Sequence, residues 1–178
     1  MKRLVLRILA AFGVLTVMTS TTAMAQPIKI GAPQPMTGPD APFGDKFKKA
    51  YSMAIEEINA AGGVNGRKLE IVIEDHQAKN QLAATVTEKL ITQEKVLVMT
   101  GGRASGQAME IASICQRMKT PYLVDHPSAD MITTKGFEWV FRNNPTGSIY
   151  PAAFANSSSV GTGEPLFAGQ VVSAVELT

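Results

Sequence analysis

From Ile28 onward, short apolar runs of strand length alternate with longer segments whose apolar residues recur at helical spacing, and this alternation restricts the chain to few folds. Ile28-Lys29-Ile30-Gly31-Ala32 reads as a first strand, followed by a turn-rich loop from Pro33 to Gly44. Residues 45–61 place Phe47, Ala50, Tyr51, Ala54, Ile55, Ile58 and Ala61 on one helical face, and Gly62-Gly63 supplies the stop. Leu69, Ile71 and Ile73 then alternate with polar residues, as in a half-buried strand. The rhythm repeats: a helix over 80–94 with Asn80 as its cap and Leu82, Ala83, Val86 and Leu90 inward, then an apolar run from Val96 to Met99. A further helix over 105–118, capped by Ser105, turns Ala108, Ile111, Ala112 and Cys115 inward. Pro121 to Val124 and Trp139 to Phe141 read as the last strands. Strands alternating with such helices predict βαβ units, hence an α/β fold with a parallel sheet and helices on both faces.

Both ends depart from this pattern. Lys2, Arg3 and Arg7 precede an apolar run from Ile8 to Met18, then a small, polar stretch ending Ala23-Met24-Ala25. These are the three regions of a signal peptide, with cleavage expected after Ala25 and Gln26 as the new amino terminus. Three of the seventeen basic residues fall in this segment, so residues 26 onward are nearly neutral against fifteen acidic ones. That balance argues against nucleic-acid binding, which calls for a clustered basic face. A single cysteine, Cys115, excludes an internal disulfide and reads as a small core residue. At the other end, residues 143–178 hold no Lys or Arg and only Glu164 and Glu176 as charged groups. This composition predicts an irregular tail, of the kind a truncated or frame-shifted end produces.

Ligands of open parallel sheets sit at the carboxyl ends of the strands. That rule singles out the loops Gln34 to Asp45, Glu74 to Gln77, Thr100 to Ser105 and Asp125 to Asp130. The third is the most informative. Gly101-Gly102 permits close backbone approach, and Ser105 stands where a helix starts, so its hydroxyl and nearby N–H groups could hold a carboxylate. Ser105 could equally be only an N-cap. Neither G-x-x-x-x-G-K-[ST] nor G-x-G-x-x-G is present, which disfavours a phosphate loop. Asp75-His76 could be catalytic or cap the next helix. Two histidines, His76 and His126, and one cysteine make a zinc site improbable, and no cofactor is expected. A Ser105–His126–Asp125 triad can be drawn, but Ser105 lacks the G-x-S-x-G elbow.

Residues 28–142 resemble the amino-terminal lobe of type I periplasmic solute-binding proteins, the leucine/isoleucine/valine-binding group of ABC importers. The resemblance rests on Ile28-Lys29-Ile30-Gly31, Met36-Thr37-Gly38-Pro39, Phe43-Gly44 and Ile58-Asn59-Ala60-Ala61-Gly62-Gly63-Val64-Asn65-Gly66. Lys68 to Asp75, the loop with Ser105, and Thr133 to Arg142 complete it. It implies a domain plan of a signal peptide over 1–25, one lobe over 26–142 and the tail. It further implies a periplasmic, non-enzymatic protein that passes an amino-acid-like solute to a membrane permease. Carried over by position, Ser105 would contact the solute's carboxylate. Ser128, with Ala129 beside it, would meet the α-amino group, and Phe43 would stand at the pocket mouth. His126-Pro127 and Arg103 depart from the family pattern, and Arg103 could favour a second acidic group on the solute. Half of the family's pocket wall belongs to a second lobe, so the chain is expected to bind its solute weakly. The alternative is an exported α/β hydrolase using Ser105.

Overall fold

The computed structural model describes residues 26–150, so the segment expected to be a signal peptide and residues 151–178 of the expected tail lie outside the described residues. Five strands, β1 (Ile28–Gln34), β2 (Leu69–Asp75), β3 (Val98–Met99), β4 (Tyr122–Val124) and β5 (Val140–Arg142), form one sheet in the order β2-β1-β3-β4-β5. All neighbouring pairs are parallel, as the alternation of strand and helix patterns predicts. The connecting helices are α1 (Ala41–Ala60), α2 (Asn80–Thr92), α3 (Ser105–Met118) and the short α4 (Met131–Thr134). The path from β1 to β2 runs toward one edge of the sheet, and every later crossover runs toward the other. Right-handed crossovers therefore put α1 on one face and α2 and α3 on the opposite face. The reversal leaves a switch point between β1 and β3, where loops diverge and a ligand crevice can open.

The core lies under α2 and α3. Leu90, Met99, Ile111, Tyr122, Val124 and Ile132 are fully buried there, in one cluster with Ala83, Ala108, Ala112 and Cys115. Each large apolar side chain so buried contributes about 1.5–3 kcal/mol. Burial pushes the Cys115 thiol up to about 12, so this residue is inert filling, as expected. The other face is less covered. Phe47, Tyr51 and Ile55 of α1 are half-buried, but Ala50, Ala54 and Ile58 of the same apolar stripe stay exposed. Leu123 and Phe141, paired in register on that face, are exposed too. The stripe on α1 is thus wider than the surface the described residues present to it.

Three helix starts differ from their sequence expectation. The first helix begins at Ala41 rather than 45, because Pro42 fits the first turn, where its missing N–H costs nothing. Lys79, not Asn80, holds the cap position of α2. Ala104, not Ser105, holds that of α3, and its N–H donates to Gln107 Oε1 at 2.8 Å. Ser105 therefore enters the first turn with its hydroxyl released from capping. At the far end of α1, the Gly63 N–H donates to the Ile58 carbonyl at 2.9 Å, closing the helix as Gly62-Gly63 predicts. The Asn59 amide then brackets Leu69, accepting its N–H at 2.7 Å and donating to its carbonyl at 2.9 Å, which sets the start of β2.

Candidate functional site

The loops leaving β1, β3 and β4 converge at the carboxyl edge of the sheet. Asp75, the last residue of β2, fastens the first of them. Its carboxylate accepts the N–H of Met36 at 2.9 Å and the hydroxyl of Thr37 at 2.5 Å. Partial burial alone would raise the Asp75 pKa, but these bonds and the Gln77 N–H outweigh it and hold the pKa below the ordinary value. Beside it, His76 is fully buried, with Nδ1 accepting the Ala78 N–H at 3.1 Å. Asp75 and His76 thus fasten loops, and the cap position of α2 is held by Lys79 rather than by either of them.

Burial lowers the His76 pKa from its ordinary 6.5. Between 6.5 and the lowered value, the unfolded chain binds a proton that the folded chain refuses, so stability is full above about 6.5 and falls as pH drops through that window. Urea midpoints measured between pH 7.5 and 5.5 are expected to decline over the lower half of that range. His76→Gln, which keeps an acceptor for Ala78, should flatten the decline; an unchanged slope would assign it to other groups.

The glycines before α3 serve the fold. Gly101 has φ +92, and a Cβ there would stand 2.7 Å from the Pro33 carbonyl oxygen; one on Gly102 would stand 2.7 Å from Ile111 Cδ1. The space a side chain would need there is taken by the chain itself. What this close packing does is bring the start of α3 against the end of β1. There Ser105 Oγ accepts the Ala129 N–H at 3.3 Å, tying α3 to the loop after β4. With a lone pair so engaged, the Ser105 hydroxyl keeps its own proton uncommitted.

Phe43, in the first turn of α1, flanks this junction. The Arg103 guanidinium lies 3.9 Å from its ring centroid and pairs with Asp40 at 3.2 Å. Arg103 is therefore partly neutralised and stacked, not extended into solvent. Ser128 stands in the loop after β4, with its carbonyl accepting the Gly147 N–H at 2.6 Å. Of the four expected site residues, Ser105 and Ala129 are in direct contact, Phe43 approaches through Arg103, and Ser128 adjoins Ala129 in the chain.

The triad drawn from the sequence does not assemble. Asp125 Oδ2 accepts the Tyr51 hydroxyl at 2.5 Å, and the His126 ring meets Phe47 edge-on at 5.4 Å. Ser105 faces Ala129 instead. Tyr51 is also bonded to the fully buried Gln34 through its Nε2 at 3.0 Å. Burial first, then the Asp125 carboxylate, drives the Tyr51 hydroxyl well above its ordinary pKa, so it stays a proton donor.

Two further residues were not singled out by the sequence. Arg142, at the end of β5, donates to the carbonyls of Pro127 at 2.5 Å and Ala129 at 2.8 Å and to the Thr133 hydroxyl at 3.3 Å. The Asn144 amide donates to the carbonyls of His126 at 3.0 Å and Pro127 at 3.2 Å. Together they staple the loop that carries Ser128 and Ala129. Among the described residues, no group of three or more His, Cys, Asp or Glu side chains could hold a metal ion. A hollow of about 530 Å³ runs along the outer side of α1, between Asp45 and Glu56, away from these loops.

The sequence and the fold both have parallels among known proteins. Residues 27–167 match the profile of the periplasmic binding protein family. Leu/Ile/Val-binding protein homolog 7 of Brucella melitensis is 35% identical over 137 residues, which are 77% of this chain and 34% of that protein. The chain thus spans about a third of the length of the curated relatives it matches. Among solved structures, the branched-chain amino acid transporter substrate-binding protein LivJ from Streptococcus pneumoniae, in complex with isoleucine, aligns with TM-score 0.63 and 32% identity. That alignment covers 67% of this chain and 34% of LivJ. A solute-binding protein of an ABC transporter from R. palustris, in complex with 4-hydroxybenzoate, aligns with TM-score 0.61 and 30% identity, over 74% of this chain and 36% of its own. On the match of residues 27–167 to the family profile and the identity to these relatives, the chain belongs to the periplasmic binding protein family.

Proposed function

We propose that the chain is a solute-binding component of an ABC importer, acting in the periplasm and delivering a small amino-acid-like solute or related carboxylate to a membrane permease. The observation that carries this reading is the Ser105–Ala129 contact at the carboxyl edge of the sheet. It leaves a hydroxyl with an uncommitted proton at the start of a helix, where N–H groups and the helix dipole favour an anion. Ser105 would hold the carboxylate, Ser128 and Ala129 would line the adjoining wall, and Phe43 would close the mouth. The relatives named as binding proteins, and the ligands named with their structures, isoleucine and 4-hydroxybenzoate, share a carboxylate. No triad geometry favours the hydrolase alternative.

The test compares acids with neutral amides of the same shape, by ligand-observed NMR at millimolar concentration. L-leucine and 4-hydroxybenzoate are expected to bind at least about tenfold more tightly than L-leucinamide and 4-hydroxybenzamide, the loss anticipated when a hydrogen bond to a charged group is removed. Equal binding of acid and amide, or none by either acid, would defeat the reading.

A further inference from the structure

The loop that carries Ser128 and Ala129 is held from two sides. Arg142 and Asn144 staple its carbonyls from the β5 end. The helix α1, on the opposite face of the sheet from α2 and α3, holds its first two residues. Asp125, which directly follows β4, accepts the Tyr51 hydroxyl at Oδ2 over 2.5 Å. His126, the next residue, meets the Phe47 ring edge-on at 5.4 Å. Phe47 and Tyr51 stand one helical turn apart, and their rings stack with centroids 6.1 Å apart. Two successive loop residues are thus seated on two successive turns of one helix.

Tyr51 reaches in the other direction as well. Its hydroxyl accepts from Gln34 Nε2 at 3.0 Å, and Gln34 is the fully buried last residue of β1. In the sheet β3 lies between β1 and β4, so the Tyr51 oxygen ties together strand ends on the two sides of the switch point. Thr100, just after β3, donates its hydroxyl to the Leu123 carbonyl at 3.2 Å and closes β3 onto β4 at the same level. The groups are matched in kind: an amide donates, a hydroxyl relays and a carboxylate accepts. Tyr51→Phe would keep the stacked ring and leave both ends of this chain without their bond. The chain sets where the loop departs from the sheet, and the Ala129 N–H that meets Ser105 Oγ lies four residues farther on.

We propose that Tyr51 is a positioning residue of the solute site: through Asp125 it sets where the wall formed by Ser128 and Ala129 stands against Ser105. This rests on the reading of that wall given above, and it adds a residue that acts through its neighbours rather than on the solute.

The experiment uses Tyr51→Phe in the full chain, read first without solute. Hydrogen exchange at residues 126–130 is expected to rise and their amide shifts to move, while the core amides of α2 hold. Titration with 4-hydroxybenzoate, by ligand-observed NMR, should then show binding about three- to tenfold weaker than wild type. Leu90→Val, a core change in α2 that should also lower the urea midpoint, should leave that affinity unchanged. Asp125→Asn keeps an acceptor for the Tyr51 hydroxyl and should retain most of the affinity. Asp125→Ala should match Tyr51→Phe, and the double variant should lose no more than either alone, because both remove one bond. Unchanged shifts at 126–130 in Tyr51→Phe overturn the inference. So do additive losses, a loss in Asp125→Asn as large as in Asp125→Ala, or a loss in Leu90→Val as large as in Tyr51→Phe. If wild type binds and Tyr51→Phe binds equally well, the inference alone fails. If wild type binds neither 4-hydroxybenzoate nor L-leucine, the carboxylate reading fails and takes the inference with it.

Discussion

Replacing Arg142 by methionine is expected to lower stability by about 2–3 kcal/mol and to release residues 126–130 from the sheet edge. The stem of the side chain is retained, so packing changes little. What is lost is the guanidinium, which donates to two backbone carbonyls and a hydroxyl of a loop otherwise without regular structure. Charge-assisted bonds of this kind contribute about 1.5–3 kcal/mol each when isolated, but Arg142 is half-buried and water can replace part of the set. The total is therefore well below the sum. Two measurements check it: the urea midpoint, and hydrogen exchange of amides 128–134, which should rise far more than that of the core amides in α3. Arg142→Lys should recover only a fraction, because a single ammonium cannot reproduce the fork that reaches Pro127 and Ala129 together. A variant with unchanged exchange at 128–134 would show that the loop is held by Asn144 and Gly147 alone.

The order of strands and helices was legible because it is written in local periodicity, which each segment carries in its own residues. The parallel sheet followed from that order, and helix α3 was placed to the residue because its apolar positions and the glycines before it agree. Gly101-Gly102 shows in the sequence that something approaches closely but not what; the space a side chain would need is taken by the Pro33 carbonyl and Ile111. Ser105 reads from the sequence as either a carboxylate holder or a cap, and the structure gives the cap position to Ala104. Gln107 supplies the capping bond, and this is what frees the Ser105 hydroxyl. The Gln34–Tyr51–Asp125 chain and the Arg142–Asn144 staple left no trace in the sequence. Their partners are 17 to 74 positions away in the first case. In the second they are backbone carbonyls, which carry no residue signature. Asn144 also falls just where the strand–helix rhythm stops, so no periodic pattern marks it.

Substituting Ser105 by alanine is expected to weaken carboxylate binding by about ten- to a hundredfold, which corresponds to the 1.5–3 kcal/mol of a hydrogen bond to a charged group. The direction follows from two consequences of one deletion. The solute loses a hydroxyl donor whose oxygen already accepts the Ala129 N–H. The Ala129 N–H loses its acceptor as well, so the wall formed by residues 128–130 is less firmly placed even before a solute arrives. Fold stability should fall little, since Ser105 is not the cap of α3 and the Gln107 bond to Ala104 remains. That separates this variant from Arg142→Met, which acts on stability first. Converting the solute's acid to its amide should give a loss of similar size, and the two losses should not add, because both remove the same contact. Binding measured for wild type and Ser105→Ala, each with the acid and the amide, completes the cycle. Additive losses would place the carboxylate away from Ser105, and the anchor would then be sought at Arg103, whose pairing with Asp40 a solute would have to displace.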